Sequence, residues 1–327
     1  MDCLRARIRK IGGPNVIEWV EELAPHPGPN EVLIEQTAVG VNYIDTYHRG
    51  GLYPVPLPSG LGLEAAGRVI AIGDGVNDYA AGDRVAYMGP GLGAYASHRV
   101  MSSDDLFRLP EEISEDQAAA TILKAATTEA LVERCANLNE GDTALVHAAA
   151  GGVGLIMVQW LKALNVRVIG TVSSDYKEVA ALEAGCDFLI RYDREDVASN
   201  IREITNGEGV PVVFDGVGRD TFNSSLDSLS PRGLLVSYGN ASGAVEGVNL
   251  GTLAQKGSVF VTRPTLFHYY QTKKERQKGI ARVWEMIKNN HVKVTIGQSY
   301  DLTDAMQAHI DLEARVTTGS TILKPYT

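Results

Sequence analysis

The segment Thr143-Ala-Leu-Val-His-Ala-Ala-Ala-Gly-Gly-Val-Gly154, followed by Leu-Ile-Met-Val-Gln-Trp-Leu-Lys-Ala-Leu164, decides the fold. A short apolar run enters a tight turn of small residues and leaves as a helix. Apolar Val153, Ile156, Met157, Trp160, Leu161 and Leu164 recur at i, i+3, i+4, i+7, i+8 and i+11, which puts all six on one helical face. Ala148, Gly151 and Gly154 take the small positions of a G-x-G-x-x-G-type fingerprint, read here as A-x-x-G-x-x-G. Strand, turn and helix in this order receive a dinucleotide pyrophosphate on a helix N-terminus.

Outward from this point the pattern alternates. Strands are predicted at 143–148, 167–172, 188–190, 212–215, 233–238 and 258–262, with helices between them. The helix near 175–184 is predicted to stop at Gly185, a natural residue just past a helix end. The fold class is therefore α/β, a doubly wound parallel sheet of the Rossmann type over 125–264. Residues 1–124 read differently, as an irregular β domain. Glu31–Val39 partly alternates, Ala65–Ile72 and Asp83–Tyr87 are short apolar runs, and Pro54–Pro58 and Gly89-Pro90-Gly91 punctuate them. After 265 come a basic stretch (Lys273, Lys274, Arg276, Lys278), an amphipathic helix with Ile280, Val283, Trp284 and Ile287 on one face, and a strand at Ser320–Leu323. The basic run is expected to be a solvated helix face. This tail is too short for a domain and is expected to fold back onto the first segment, giving units 1–124 with 265–327, and 125–264.

With 327 residues, two domains are the natural expectation. The formal charge of −10 argues against a general nucleic-acid or anionic-membrane surface. Cys3, Cys135 and Cys186 have no paired spacing, which suits reduced thiols in a cytoplasmic protein. Arg5, Arg7, Arg9 and Lys10 precede Gly12-Gly13-Pro14 rather than an apolar run, so export is not expected. No stretch approaches membrane-spanning length. Histidines 26, 48, 98, 147, 268, 291 and 309 show no ligand spacing, and no metal is expected.

Nucleotide choice is read at the end of the second strand. An NAD site places a carboxylate there, about 20 residues beyond the turn. Nineteen residues after Gly154 stands Ser173, followed by Ser174, Asp175, Tyr176 and Lys177. Hydroxyls and an ammonium favour a phosphate, hence NADPH. Asp175 is the counter-argument.

Gly40-Val-Asn-Tyr-Ile-Asp45, Gly60-Leu-Gly-Leu-Glu-Ala-Ala-Gly67 and Gly82-Asp-Arg-Val85 resemble the catalytic half of the medium-chain dehydrogenase/reductase superfamily. Where its zinc-bearing members carry a cysteine and a histidine, this chain has Asn42 and Leu63. Asn42–Tyr53, Ala148–Gly154 and Gly239-Asn-Ala-Ser-Gly243 are more specifically similar to the zinc-free, zeta-crystallin-like NADPH:quinone oxidoreductases, and the likeness covers essentially the whole chain. The resemblance implies a GroES-like catalytic domain, a Rossmann domain, an active cleft between them, and a homodimer. It further implies that Asn42 and Thr127 contact the nicotinamide end, and that Ser174, Lys177, Tyr192 and Arg315 surround the 2′-phosphate, with Ser173 beside them. Tyr238, Gly239, Asn240 and the neighbourhood of Arg263 would line the groove, and Gly151, Gly152, Val153 and Gly154 would face the pyrophosphate.

Without a Lewis acid, hydride transfer suits an acceptor that is already electron-poor, a quinone or a conjugated enone. Asn42 is then a candidate to hydrogen-bond the acceptor, and Tyr47 and Tyr53 are candidate donors to the developing oxyanion. Asp45 and Glu64 are expected to orient or pair rather than act as a base. Gly216 and Gly218 are expected to let the chain pass close to the nucleotide. A 2-alkenal, enone or enoyl-thioester reductase is the nearest rival. An RNA-binding or structural role is a distant one, since the sequence lacks a basic–aromatic surface motif.

Overall fold

In the computed structural model residues 1–89 and 91–325 are described, so the predicted turn residue Pro90 lies outside them. The chain divides into two compact units, Met1–Lys124 with Val294–Thr327, and Ala125–Lys293.

Unit 1 opens with β1 (Asp2–Arg7) paired antiparallel to β2 (Glu18–Leu23). Then follow β3 (Glu31–Val41), α1 (Tyr43–Gly50), β4 (Glu64–Ile72), β5 (Arg84–Met88), β6 (His98–Ser102), β7 (Phe107–Arg108) and α2 (Glu115–Glu129), which runs past the division at Ala125. β3 is the spine, pairing antiparallel with β4 and β6. Its buried Val32, Ile34 and Val39 meet Ile8, Leu61, Tyr87 and Tyr95 in one core.

Unit 2 carries β8 (Thr143–Val146), α3 (Gly152–Ala163), β9 (Arg167–Val172), α4 (Asp175–Glu183), β10 (Phe188–Arg191), α5 (Val197–Ile204), β11 (Val210–Asp215), α6 (Phe222–Ser228) and β12 (Leu229–Ser237). It continues with α7 (Leu250–Gln255), β13 (Phe260–Thr262), α8 (Leu266–Tyr269) and α9 (Lys273–Lys288). Among the described residues the sheet order is β10-β9-β8-β11-β12-β13, and each pairing is parallel. Written from β8 as the first strand, this is 3-2-1-4-5-6, the doubly wound order. The order reverses between β8 and β11, so ligands are received beyond their carboxyl ends. Gly185 ends α4 with φ +108°, as a residue past a helix end should.

The chain then supplies β14 (Ile296–Asp301), α10 (Ala305–Glu313) and β15 (Ser320–Lys324) to unit 1, where β15 pairs with β3. The return falls at Val294 rather than at 265. The intervening α9 buries Ile280, Val283, Trp284 and Ile287. Its Arg282 pairs with Glu133 at 2.9 Å and lies 5.8 Å from the Trp160 ring centroid. Through Arg282 the helix is tied to Trp160 of α3 and to Glu133, which follows α2. Among the described residues no helix is long and apolar enough to cross a membrane.

Candidate active site

The turn between β8 and α3 is built backbone against backbone. Gly151 is the residue capping α3, extended at φ −78° and ψ 172°, and it brings no side chain to the first-turn amides. Those amides, of Gly152, Val153 and Gly154, have no carbonyl four residues back and are open to an anion. Gly154 is compelled by space: a Cβ would stand 2.3 Å from Ala148 O and 2.7 Å from Ala149 O. Ala148 itself holds a left-handed φ of +52°. Its N–H donates to Thr171 Oγ1 at 3.3 Å, and its carbonyl accepts from Gly151 N at 2.9 Å.

Beneath the turn runs a buried polar relay. Ser225 Oγ lies 3.0 Å from His147 Nε2 and 2.8 Å from Asp215 Oδ2, and His147 Nδ1 lies 3.1 Å from Thr171 Oγ1. A hydroxyl has one proton to give. With Ser225 donating to the carboxylate, His147 must carry its proton on Nε2 and accept from Thr171 on Nδ1. Burial holds the imidazole pKa below its ordinary value, which agrees with a neutral ring. Asp215 Oδ1 in turn accepts from Val217 N at 2.8 Å, Gly218 N at 3.0 Å and the Thr221 hydroxyl at 2.9 Å. One hydrogen-bond chain thus organises both the Ala148 turn and the Gly216–Gly218 loop, the two sides of the sheet's reversal point. The resemblance of this group to a hydrolytic triad is misleading, because Ser225, His147 and Asp215 are all buried.

Loops after β11 and β12 press together in the same way. Gly218 has φ +94°, and a Cβ on Gly239 would fall 2.0 Å from Gly216 O. Tyr238 N donates to Asp215 O at 2.8 Å. Arg263 donates to Ser237 O and Gly239 O, at 3.0 and 2.8 Å, so its guanidinium braces this loop. Asn240 O accepts from Gly243 N at 2.9 Å.

At the end of β9 stand Ser173 and Ser174. Ser174 caps α4, its hydroxyl accepting from Lys177 N at 3.4 Å. Tyr192 follows β10, its N–H donating to Val172 O at 3.2 Å. Unit 2 therefore gathers Ser173, Ser174, Lys177 and Tyr192 at the ends of two neighbouring strands. Thr127 also belongs to unit 2, in α2. Arg315 belongs to unit 1, hydrogen-bonded to the Tyr43 hydroxyl.

In unit 1 the stretch singled out by sequence begins α1. Asn42 precedes the helix and is buried; its N–H donates to Asp45 Oδ2 at 2.9 Å. Its Nδ2 donates to Glu64 Oε1 at 2.7 Å, and its side chain accepts from the Asp45 backbone in a capping box, which leaves the second amide hydrogen for other work. Glu64 also takes Lys124 Nζ at 2.8 Å on Oε1 and Leu123 N at 2.7 Å on Oε2. Both oxygens of Glu64 are thus committed to donors, and Leu63 beside it has no ligating atom. Among the described residues no group of three or more His, Cys, Asp or Glu is placed to hold a metal ion. Tyr47 and Tyr53 are brought together, ring centroids 5.2 Å apart and edge to face, with Tyr43 5.7 Å from Tyr47.

Asp45 is fully buried, with Oδ2 accepting from Asn42 N and from the Tyr95 hydroxyl at 3.0 Å, while Oδ1 has no partner. Burial drives its pKa up to about 7. Tyr95 continues to His309 at 2.9 Å, His309 to Arg49 at 3.0 Å, and Arg49 to Glu313 at 2.7 Å.

Sequence reasoning missed the partners. Lys124, Thr171, Asp215, Ser225 and Arg191 were not singled out, although Asp215 does end a predicted strand and precedes Gly216-Val-Gly218.

Comparison with known proteins places this geometry. Residues 28–111 match the family model described as alcohol dehydrogenase GroES-like domain, and 152–288 match the one described as zinc-binding dehydrogenase. A quinone oxidoreductase of Pseudomonas aeruginosa is 49% identical over 98% of this chain and 99% of its own length. The crystal structure of Escherichia coli quinone oxidoreductase complexed with NADPH superposes with a TM-score of 0.96 at 48% identity, covering 98% of this chain and all of that one. A 2-haloacrylate reductase of a Burkholderia species is 39% identical over 98% of this chain and 99% of its own. With such likeness running through both units, the chain belongs to the quinone oxidoreductase family of the medium-chain dehydrogenase/reductase superfamily.

Proposed function

We propose that this enzyme reduces quinones with NADPH by direct hydride transfer, without metal or flavin. The observation that carries the reading is the uncapped N-terminus of α3 pressed against Ala148 and Ala149, a cradle that a Cβ on Gly154 would fill. NADPH supplies the hydride when bound. The amides of Gly152, Val153 and Gly154 bind its pyrophosphate, the Gly218 and Tyr238–Asn240 loops border the groove, and Ser173, Ser174, Lys177, Tyr192 and Arg315 take the 2′-phosphate. Thr127 and Asn42 orient the nicotinamide end. Asn42, pinned by Glu64 and by its capping box with Asp45, offers its second amide hydrogen to the acceptor, while Tyr47 or Tyr53 donates to the oxyanion that forms. The NADPH complex of the Escherichia coli relative supports the cofactor assignment.

The test is nucleotide preference and acceptor range. Lys177→Ala raises the KM for NADPH far more than that for NADH; equal effects remove the 2′-phosphate assignment. Activity survives EDTA; loss that zinc restores contradicts the metal-free reading. The haloacrylate-reducing relative favours a second reading, reduction of an electron-poor alkene on the same scaffold. Comparing 1,4-benzoquinone with an enone under identical conditions separates the two.

We also propose a cytoplasmic homodimer. Three unbridged cysteines suit a reducing compartment. Strand β13 is one of the two edges of the unit 2 sheet and leaves Phe260 62% and Val261 37% exposed, with Leu250 at 77% in the segment before it. A second copy pairing along this edge covers them. Val261→Arg yields monomers in light scattering; an unchanged mass refutes the edge assignment.

A further inference from the structure

Arg191 is the last residue of β10, in register with Val172 of β9, and its guanidinium reaches the loop that follows β9. Its side chain is 9% exposed, although three acidic residues surround it. Nε and Nη2 grip both oxygens of Asp193, each at 2.9 Å, and Nη2 also donates to Ser173 O at 3.4 Å. Such a two-point grip fixes the plane of the fork. The remaining edge, Nη1, is turned to Asp175, whose carboxylate it holds in an ion pair. Glu178 Oε2 stands farther off at 3.8 Å.

Asp175 is the one acid between Ser173 and Lys177. A carboxylate in this region is what dinucleotide folds use to accept the ribose hydroxyls, and the same charge repels a 2′-phosphate. Here the carboxylate is tied to a braced cation. We infer that Arg191 is a specificity-determining residue: it withdraws Asp175 from the ribose and cancels its charge, so that the phosphate-bearing nucleotide is preferred. The inference rests on the NADPH reading above. Ser173, Ser174 and Lys177 supply attraction to the phosphate, and Arg191 removes the repulsion that would offset it. The bracing by Asp193 matters, because a mobile arginine would follow the phosphate and release the aspartate.

The experiment is a mutant cycle of Arg191→Ala, Asp175→Ala and the double variant. For each, kcat and KM are measured with NADPH and NADH, and Kd by nucleotide fluorescence titration. Arg191→Ala lowers the NADPH-to-NADH ratio of kcat/KM by roughly tenfold, about one charge-assisted hydrogen bond. The change falls in KM and includes a lower KM for NADH. Asp175→Ala alone retains the NADPH preference, and the double variant recovers most of the lost ratio. A structural role for Arg191 would weaken both nucleotides together and would not be rescued by removing Asp175. Should Arg191→Ala not fold, Arg191→Gln keeps the bulk and loses the charge, and the same shift in ratio is expected. An unchanged ratio, or a double variant no better than Arg191→Ala, overturns the inference. If Lys177→Ala discriminates between the nucleotides while Arg191→Ala does not, only this inference falls. If neither discriminates, the NADPH reading falls with it.

Discussion

Replacing Lys124 with methionine tests the centre of unit 1. The ammonium lies 2.8 Å from Glu64 Oε1, with side chains only 6% and 0% exposed. Methionine keeps the bulk and removes the charge. Removing one member of a buried pair typically costs about 3–5 kcal/mol, because the other charge stays desolvated. Glu64 retains two donors, Asn42 Nδ2 at 2.7 Å and Leu123 N at 2.7 Å, which places the loss near the lower end, about 3 kcal/mol. At roughly 2–4 °C per kcal/mol for a unit of this size, the melting temperature of unit 1 should fall by about 6–12 °C. Differential scanning calorimetry on Lys124→Met, Glu64→Gln and the double variant measures it. The double variant removes both charges of the pair and is expected to recover most of the loss. A Lys124→Met loss below about 0.5 kcal/mol, or a double variant whose loss equals the sum of the singles, refutes the claim that these two charges need each other.

Three further outcomes follow from the geometry. Gly154→Ala drives a Cβ onto Ala148 O and Ala149 O, both backbone atoms, so α3 must move off the turn. A stability loss of about 1–3 kcal/mol and a weaker nucleotide Kd by fluorescence titration are expected, and an unchanged Kd would show that the first-turn amides do not bind the pyrophosphate. Ser225→Ala strips His147 Nε2–H of its acceptor and Asp215 of a donor, at a cost of about 1–3 kcal/mol in thermal unfolding. The KM for NADPH rises with it while kcat changes less; a neutral result removes the relay. Asp45 has a folded pKa of about 7 against an unfolded value of roughly 3.9, so the folded protein binds the extra proton between them. Its contribution is fully favourable below pH 4 and is lost as pH rises toward 7. Asp45→Asn should therefore gain stability relative to wild type between pH 5 and pH 8 in urea titrations, and a pH-independent difference would show that Asp45 does not titrate there.

Much of the fold was legible along the chain because its signals are local. The apolar run at 143–146, the small residues through Gly154 and the face from Ile156 to Leu161 lie within two dozen positions. Steric closeness at Gly154 and exposed amides at a helix start are properties of such a segment wherever it is placed. Alternation of strands with helices then implied the parallel sheet, since strand, helix and strand in series return only by crossover. Serines after β9 likewise lay where the nucleotide choice is read.

What decides the chemistry around those positions came from elsewhere. Glu64 meets Lys124 sixty residues on, Ser225 meets His147 across seventy-eight, and Asp175 meets Arg191 from the neighbouring strand. An ion pair or a buried hydroxyl leaves no period in the sequence, because its energy depends on distance and burial rather than on order. The helix 273–288 shows the same limit. Its apolar stripe foretold that it would pack, and only the folded chain chose the surface, keeping it in unit 2 and delaying the return to Val294. Local sterics and periodicity are carried by neighbours in sequence; charge neutralisation and docking are carried by neighbours in space.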